Sequence, residues 1–106
     1  MILSTTETVP QREITKIVAL VRGNIAFTRN KSRNTLVDLI NFAGGEIEDF
    51  SLVQAYAREE ALNKMITEAK EAGADAIIGL RFDSTVIEGV SEILAYGTAV
   101  QLAPNL

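Results

Sequence analysis

Between Ile14 and Phe27 the chain reads ITKIVALVRGNIAF, and its segment Ile17-Val18-Ala19-Leu20-Val21 is apolar at both parities. Successive side chains of a strand point to opposite faces, so a strand of this kind is expected to be covered on both. One cover would be a helix and the other a neighbouring subunit. The same reasoning places the strand in the middle of its sheet.

The rest of the chain supplies the elements to pack against it. Ile2-Leu3-Ser4-Thr5-Thr6 is rich in β-branched residues and reads as a short strand, closed by Pro10. After the loop TRNKSRN, Asn34 can cap a short helix whose stripe is Leu36, Val37, Leu39, Ile40 and Ala43, ended by Gly44-Gly45. A longer helix is expected over 52–72. Ser51-x-x-Gln54 has the form of a capping box, Glu46, Glu48 and Asp49 suit the positive end of the helix dipole, and Gly73 stands at the closing position. Ala55, Leu62, Met65, Ile66 and Ala69 share one face at helical spacing.

Two alternating segments follow. In ADAIIGLRFDSTVI, Ala76, Ile78, Leu80 and Phe82 alternate with Ile77, Gly79, Arg81 and Asp83; in SEILAYGTAVQL, Leu94, Tyr96, Thr98, Val100 and Leu102 alternate with Ile93, Ala95, Gly97 and Ala99. Glu88-Gly89-Val90 turns between them, which predicts an antiparallel hairpin. The small residues Ala95, Gly97 and Ala99 would admit a helix or another backbone closely. The expected order is β-β-α-α-β-β in a single domain, 1–106. Its class is α+β, a mostly antiparallel sheet covered on one face by a short and a long helix.

Composition narrows the chemistry. A chain of 106 residues is expected to bury roughly 65% of its unfolded surface. With 47% hydrophobic residues, 23% charged and a mean hydropathy of +0.17, some apolar surface is expected to meet another subunit. Cysteine and histidine are both absent, which excludes disulfides, thiolate catalysis, Cys-ligated metal sites and the commonest metal ligand and proton shuttle. No apolar run reaches the roughly 20 residues of a membrane helix, and Met1-Ile2-Leu3-Ser4 lacks the start of a secretion signal, so the chain reads as cytoplasmic with no membrane partner.

Charge is unevenly spread. From Arg12 to Arg33 there are six basic residues and one acid, Glu13, whereas from Asn34 onward acids outnumber bases three to one, for a net charge of −4. Subunits could attract one another head to tail, the basic segment could meet an anion, or both surfaces could simply be solvated.

The motifs that resemble sites have plainer readings. EAGADAIIGLRFDS carries glycines at a helix-to-strand joint, but a dinucleotide fingerprint needs them after a strand and before a helix. Gly73 therefore reads as a helix terminator, and Gly79 as a strand residue permitting close packing. Glu46, Glu48 and Asp49 could offer oxygen ligands to a hard cation, and Asp83, Glu88 and Glu92 flank the last hairpin. Arg29, Lys31 and Arg33 could hold a phosphate or carboxylate, although an acidic domain without an aromatic platform is not expected to bind nucleic acid. Arg58 and Glu59 flank the apolar stripe of the long helix and are expected near the sheet or an interface, Arg58 pairing with Asp75, Asp83 or a carboxylate of a neighbouring subunit. Tyr56 and Tyr96 read as packing residues. With no histidine to serve a hydroxyl nucleophile and no Walker, G-x-S-x-G or S-x-x-K motif, no catalytic residue is assigned and no enzyme is expected.

The segments GNIAF, LVDLINFAGG, AREEALNKMITEAKEAGADAIIGLRFD and YGTAV together resemble the YbjQ-like family of small prokaryotic proteins, which carries the label "putative heavy-metal-binding". The resemblance spans nearly the whole chain. It implies a dodecin-like subunit whose sheets associate in a homo-oligomeric ring, a pentamer. It supplies no ligand motif, so metal-binding and cofactor-binding residues stay unassigned. Two functional readings follow: an oligomeric module binding a metal ion or small ligand at a subunit interface or central channel, where symmetry turns one carboxylate into a ring, or a scaffold that binds another macromolecule through its basic loop. In either, the interface is expected at Val18 and Leu20 or on the faces of the last hairpin.

Overall fold

A computed structural model of the chain describes residues 1–28 and 50–104. The elements are β1 (Ile2–Leu3), β2 (Ile14–Thr28), α1 (Phe50–Glu71), β3 (Ala76–Ile87) and β4 (Val90–Leu102). They form an α+β layer, one helix on a mixed four-stranded sheet of order β1-β3-β4-β2. The sheet is antiparallel except at β1, which pairs parallel with β3 through Ile2↔Ala76 and Leu3↔Ile77. The expected short helix lies outside the described residues.

The position of β2 differs from expectation. It is an edge strand, with β4 on one side only. Of its five-residue apolar run, Val21 is fully buried and Val18 and Ala19 are half-buried, whereas Ile17 and Leu20 are 70% and 63% exposed. Bulges between Ile14 and Lys16 and between Ile17 and Ala19 shift the register, so the run does not simply alternate. From Ala19 onward the order is regular: Ala19, Val21, Gly23, Ile25 and Phe27 face the helix, paired with Ala99, Gly97, Ala95, Ile93 and Ser91.

Helix α1 begins at Phe50, which places Ser51 inside the helix rather than at its cap. Its buried row is Val53, Ala57, Ala61, Met65 and Ala69, one residue every four, with Leu62 and Ile66 half-buried beside it. Three of the five are alanines, and their small size brings the helix backbone down onto the sheet. Gly23 is the matching feature on β2, where a Cβ would stand 2.2 Å from the Ala61 carbonyl oxygen and 2.7 Å from the Met65 nitrogen. The helix consequently sits over β2 and β4 and hardly touches β3.

The end of α1 is a Schellman motif. Gly73, at φ 83°, donates its N–H to the Lys70 carbonyl at 3.0 Å, and Ala74 donates to the Ala69 carbonyl at 3.0 Å. The joint that leads into β3 is thus closed by carbonyls accepting backbone amides, in keeping with its structural reading. Gln101 Nε2 donates to the Gly73 carbonyl, and Asp75 Oδ2 accepts the Leu102 amide at 2.9 Å, tying the joint to the end of β4.

The β3–β4 hairpin turns through Glu88 (φ 50°) and Gly89 (φ 81°), the two positive dihedrals of a type I′ turn. In β3 the simple alternation fails at Gly79. Ile78 pairs with Thr98 and Arg81 with Tyr96, so Gly79 and Leu80 together oppose Gly97. Gly79 has φ 60° and nothing within 4 Å of the place a Cβ would take; its role is the left-handed conformation of a bulge, and close packing is not. The bulge reverses parity: Ile77 faces the helix side before it, and Phe82 after it. A second apolar cluster, Val9, Ala76, Val100 and Leu102, covers the outer face at the base of the sheet.

Candidate functional site

Beyond the Gly79 bulge the hairpin becomes an arm. The N-terminal segment stops there: Ser4 donates its amide to the Ile77 carbonyl at 2.9 Å, and Gly79 and Leu80 donate theirs to the Thr6 and Ser4 carbonyls at 2.8 and 3.0 Å. Arg81 Nη1 fastens the corner by donating to the carbonyls of Thr5 and Leu80. From Arg81 to Val90 every residue is exposed, including Phe82, Val86, Ile87 and Val90. Because α1 lies over β2, the helix-side residues Phe82 and Val86 lack its cover. Leu3, Ser4, Thr5, Leu62, Leu80 and Phe82 line a groove of about 220 Å³ between the helix and the arm, and Ala26, Thr85, Ile87, Val90 and Glu92 line another of about 220 Å³ near its tip.

The outer face of the arm carries carboxylates. The pairing Asp83↔Leu94 and Thr85↔Glu92 puts Asp83 and Glu92 on this face in diagonal positions, about 7–8 Å apart by strand geometry. Asn24 Nδ2 donates to Glu92 Oε2 at 2.8 Å, and Asp83 Oδ1 accepts the Ser84 amide at 3.0 Å. Glu88 stands apart at the turn. Among the described residues no three carboxylates gather in a way that could hold a metal ion.

The same face of β2 is apolar and basic. Ile17, Leu20 and Arg22 point outward, whereas Lys16, paired with Gln101, is exposed on the helix side. Further along, the edge of β2 is guarded by α1: Glu68 Oε1 accepts the Arg22 amide at 2.9 Å, and Lys64 Nζ reaches the Asn24 carbonyl at 3.5 Å. These two contacts satisfy backbone groups that an edge strand otherwise offers to a partner.

Other candidate residues fall elsewhere. Arg58 and Glu59 are exposed rather than pressed against the sheet, because the buried row runs through Ala57 and Ala61. Asp75 is engaged with the Leu102 amide and is not a mate for Arg58. Tyr56 is half-buried and Tyr96 exposed on the outer face, between Arg22 and Arg81. The basic loop of Arg29, Lys31 and Arg33 and the acids Glu46, Glu48 and Asp49 lie outside the described residues. Sequence reasoning missed Gly23, Ala57 and Ala61; a glycine inside an apolar strand together with alanines spaced four apart was the available signal. No helix among the described residues is long and apolar enough to cross a membrane.

Comparison with known proteins gives a consistent picture. A family model described as "Putative heavy-metal-binding" matches residues 1–103. A UPF0145 protein of Archaeoglobus fulgidus is 48% identical over 103 residues, covering 96% of this chain and 95% of that one. One from Shewanella frigidimarina is 42% identical over 106 residues, with 99% of each chain covered. Among solved structures, a protein of unknown function from Pediococcus pentosaceus, assigned to the DUF74 family, superposes with a TM-score of 0.66 at 19% identity, over 97% of this chain and 98% of that one. At that identity the superposition speaks to the fold.

Proposed function

The chain belongs to the UPF0145 family, which a model described as "Putative heavy-metal-binding" matches over residues 1–103, and from that premise we propose that it is a non-enzymatic homo-oligomeric module that binds a cation where its subunits meet. The observation that carries this reading is the exposed arm. Phe82, Val86, Ile87 and Val90 stand in solvent on the part of the sheet that α1 does not cover, an arrangement that suits a surface covered by association.

The donor set decides which metals fit. Thiophilic heavy metals select thiolate or imidazole ligands, and a chain without cysteine or histidine has neither. A site for such a metal does not fit these residues. Hard cations take six to eight oxygens, and one arm offers Asp83 and Glu92, so a complete site needs carboxylates from several copies. A ring or closed assembly would supply them.

The test is a native mass spectrum of untagged protein purified without chelator, repeated after addition of calcium or manganese. We expect a closed oligomer that takes up a fixed number of ions per assembly, fewer than one per subunit, and loses them in Asp83→Asn. A monomer, or an oligomer binding no ion, would refute the proposal.

A further inference from the structure

One row of the outer face sets an aromatic ring between two arginines. Tyr96 on β4 pairs with Arg22 on β2 and with Arg81 on β3, and all three side chains are exposed. Two strand spacings, roughly 9.5 Å, separate the arginine backbones. The row toward the base of the sheet is Leu20, Thr98 and Ile78, and the row toward the arm is Asn24, Leu94 and Asp83, so Tyr96 has an apolar surround of Leu20, Ile78 and Leu94. Arg81 Nη1 is held by the carbonyls of Thr5 and Leu80, which fixes that guanidinium and leaves its Nη2 and Nε uncommitted. Arg22 donates only its backbone amide, to Glu68. Among the described residues neither arginine has a carboxylate partner, and the Tyr96 hydroxyl takes part in no hydrogen bond. The acids of this face are engaged elsewhere, Asp83 by the Ser84 amide and Glu92 by Asn24 Nδ2.

We infer that this row is a binding site for a nucleoside monophosphate. The base stacks on the Tyr96 ring, Arg22 takes the phosphate with its free guanidinium, and Arg81 adds a fixed positive charge on the other flank. The chemistry of each part selects this class. A guanidinium fork matches the oxygens of a phosphate, and an aromatic side chain stacks on any planar base. The extent of the site limits the ligand to one nucleotide. Rows on one face of a strand lie about 6.8 Å apart, so a phosphodiester chain continuing toward the arm would run onto Asp83 and then Glu92. In the other direction the base of the sheet is covered by Val9 packing on Ala76, Val100 and Leu102. The site is complete in a single chain, so it stands apart from the assembly and cation reading above, whose carboxylates lie one and two rows further along the arm.

Equilibrium dialysis at low salt tests the site, with adenosine monophosphate as the probe and adenosine, inorganic phosphate and a short oligodeoxyadenylate beside it. The variants are Arg22→Gln, Tyr96→Leu and Tyr96→Phe, checked for folding by circular dichroism; Arg81 stays in place because it also fastens the corner at Thr5. The monophosphate should saturate at one per chain, with adenosine and phosphate each roughly tenfold weaker. Arg22→Gln should raise its dissociation constant roughly tenfold and Tyr96→Leu roughly fivefold, while Tyr96→Phe, which keeps the ring, should stay within about twofold. No saturable binding at millimolar monophosphate would overturn the inference, as would equal binding of inorganic phosphate or variants that bind like the unaltered protein. An oligodeoxyadenylate that binds more tightly than the monophosphate would also overturn it, giving the face to nucleic acid instead. None of these results bears on assembly or on the uptake of cations.

Discussion

Gly23→Ala is the most informative single substitution, because the structure assigns its cost to backbone atoms that cannot rotate away. The new methyl carbon would sit 2.2 Å from the Ala61 carbonyl oxygen and 2.7 Å from both the Lys64 Cβ and the Met65 nitrogen. Restoring ordinary contact of about 3.4 Å requires α1 to lift by roughly 1 Å, which loosens the row Val53, Ala57, Ala61, Met65 and Ala69 along its length. Overpacking of a tight core typically costs about 1–3 kcal/mol, and a clash with helix backbone belongs at or above the upper end, about 3 kcal/mol. Alanine recovers roughly 0.5–1 kcal/mol of backbone entropy relative to glycine in a strand, leaving about 2–2.5 kcal/mol. At about 2.1 cal/mol/K per residue, 106 residues have an unfolding entropy near 0.22 kcal/mol/K, so Tm should fall by roughly 10 °C. Urea and thermal unfolding followed by circular dichroism at several protein concentrations would separate this from any change in assembly. Gly97→Ala is the internal comparison, since its obstacles, the Ile77 Cγ2 at 2.7 Å and the Ile78 carbonyl oxygen at 3.1 Å, are less severe than the 2.2 Å approach to the Ala61 carbonyl oxygen at Gly23. If Gly23→Ala lay within about 0.5 kcal/mol of the unaltered protein, or cost less than Gly97→Ala, the close helix–strand approach would be refuted.

Two contacts at the ends of the sheet give further expectations. Asp75→Ala leaves the Leu102 amide, now bonded at 2.9 Å, without its acceptor in a partly buried place; a loss of about 1–2 kcal/mol and faster hydrogen exchange at Leu102 should follow, and unchanged exchange would count against the bond. Glu68→Ala should speed exchange of the Arg22 amide with a stability loss below about 1 kcal/mol, whereas Glu68→Gln, which keeps an acceptor oxygen, should stay close to the unaltered rate.

What could be read from the sequence was local. The long helix, its Gly73 terminus, the Glu88-Gly89 turn and the Ile93, Ala95, Gly97, Ala99 row each depend on residues a few positions apart, and all appear in the structure. The place of β2 depends on strand order, a non-local property, and an apolar run at both parities looks the same in a central strand as in an edge strand with exposed Ile17 and Leu20. The helix face was read through its large residues, Leu62 and Ile66, but packing follows distance, and the alanines at 57 and 61 allow the shortest one. The β3 alternation was sound up to Gly79; the two-against-one pairing that reverses it belongs to Gly97 on the neighbouring strand. For the candidate site, Asp83, Glu88 and Glu92 could be placed on the hairpin, while their separation follows only from the register.

The off-centre seat of α1 has a consequence for how this chain can change over time. Stability resides where the helix meets β2 and β4, and the arm beyond the bulge contributes little to that core. Substitutions at Arg81 to Val90 are therefore visible chiefly to whatever touches the arm, and those at Gly23 or Ala61 chiefly to the fold. Selection can reshape recognition at one end of the molecule without renegotiating folding at the other, a separation that lets one scaffold diverge in what it meets while remaining the same scaffold.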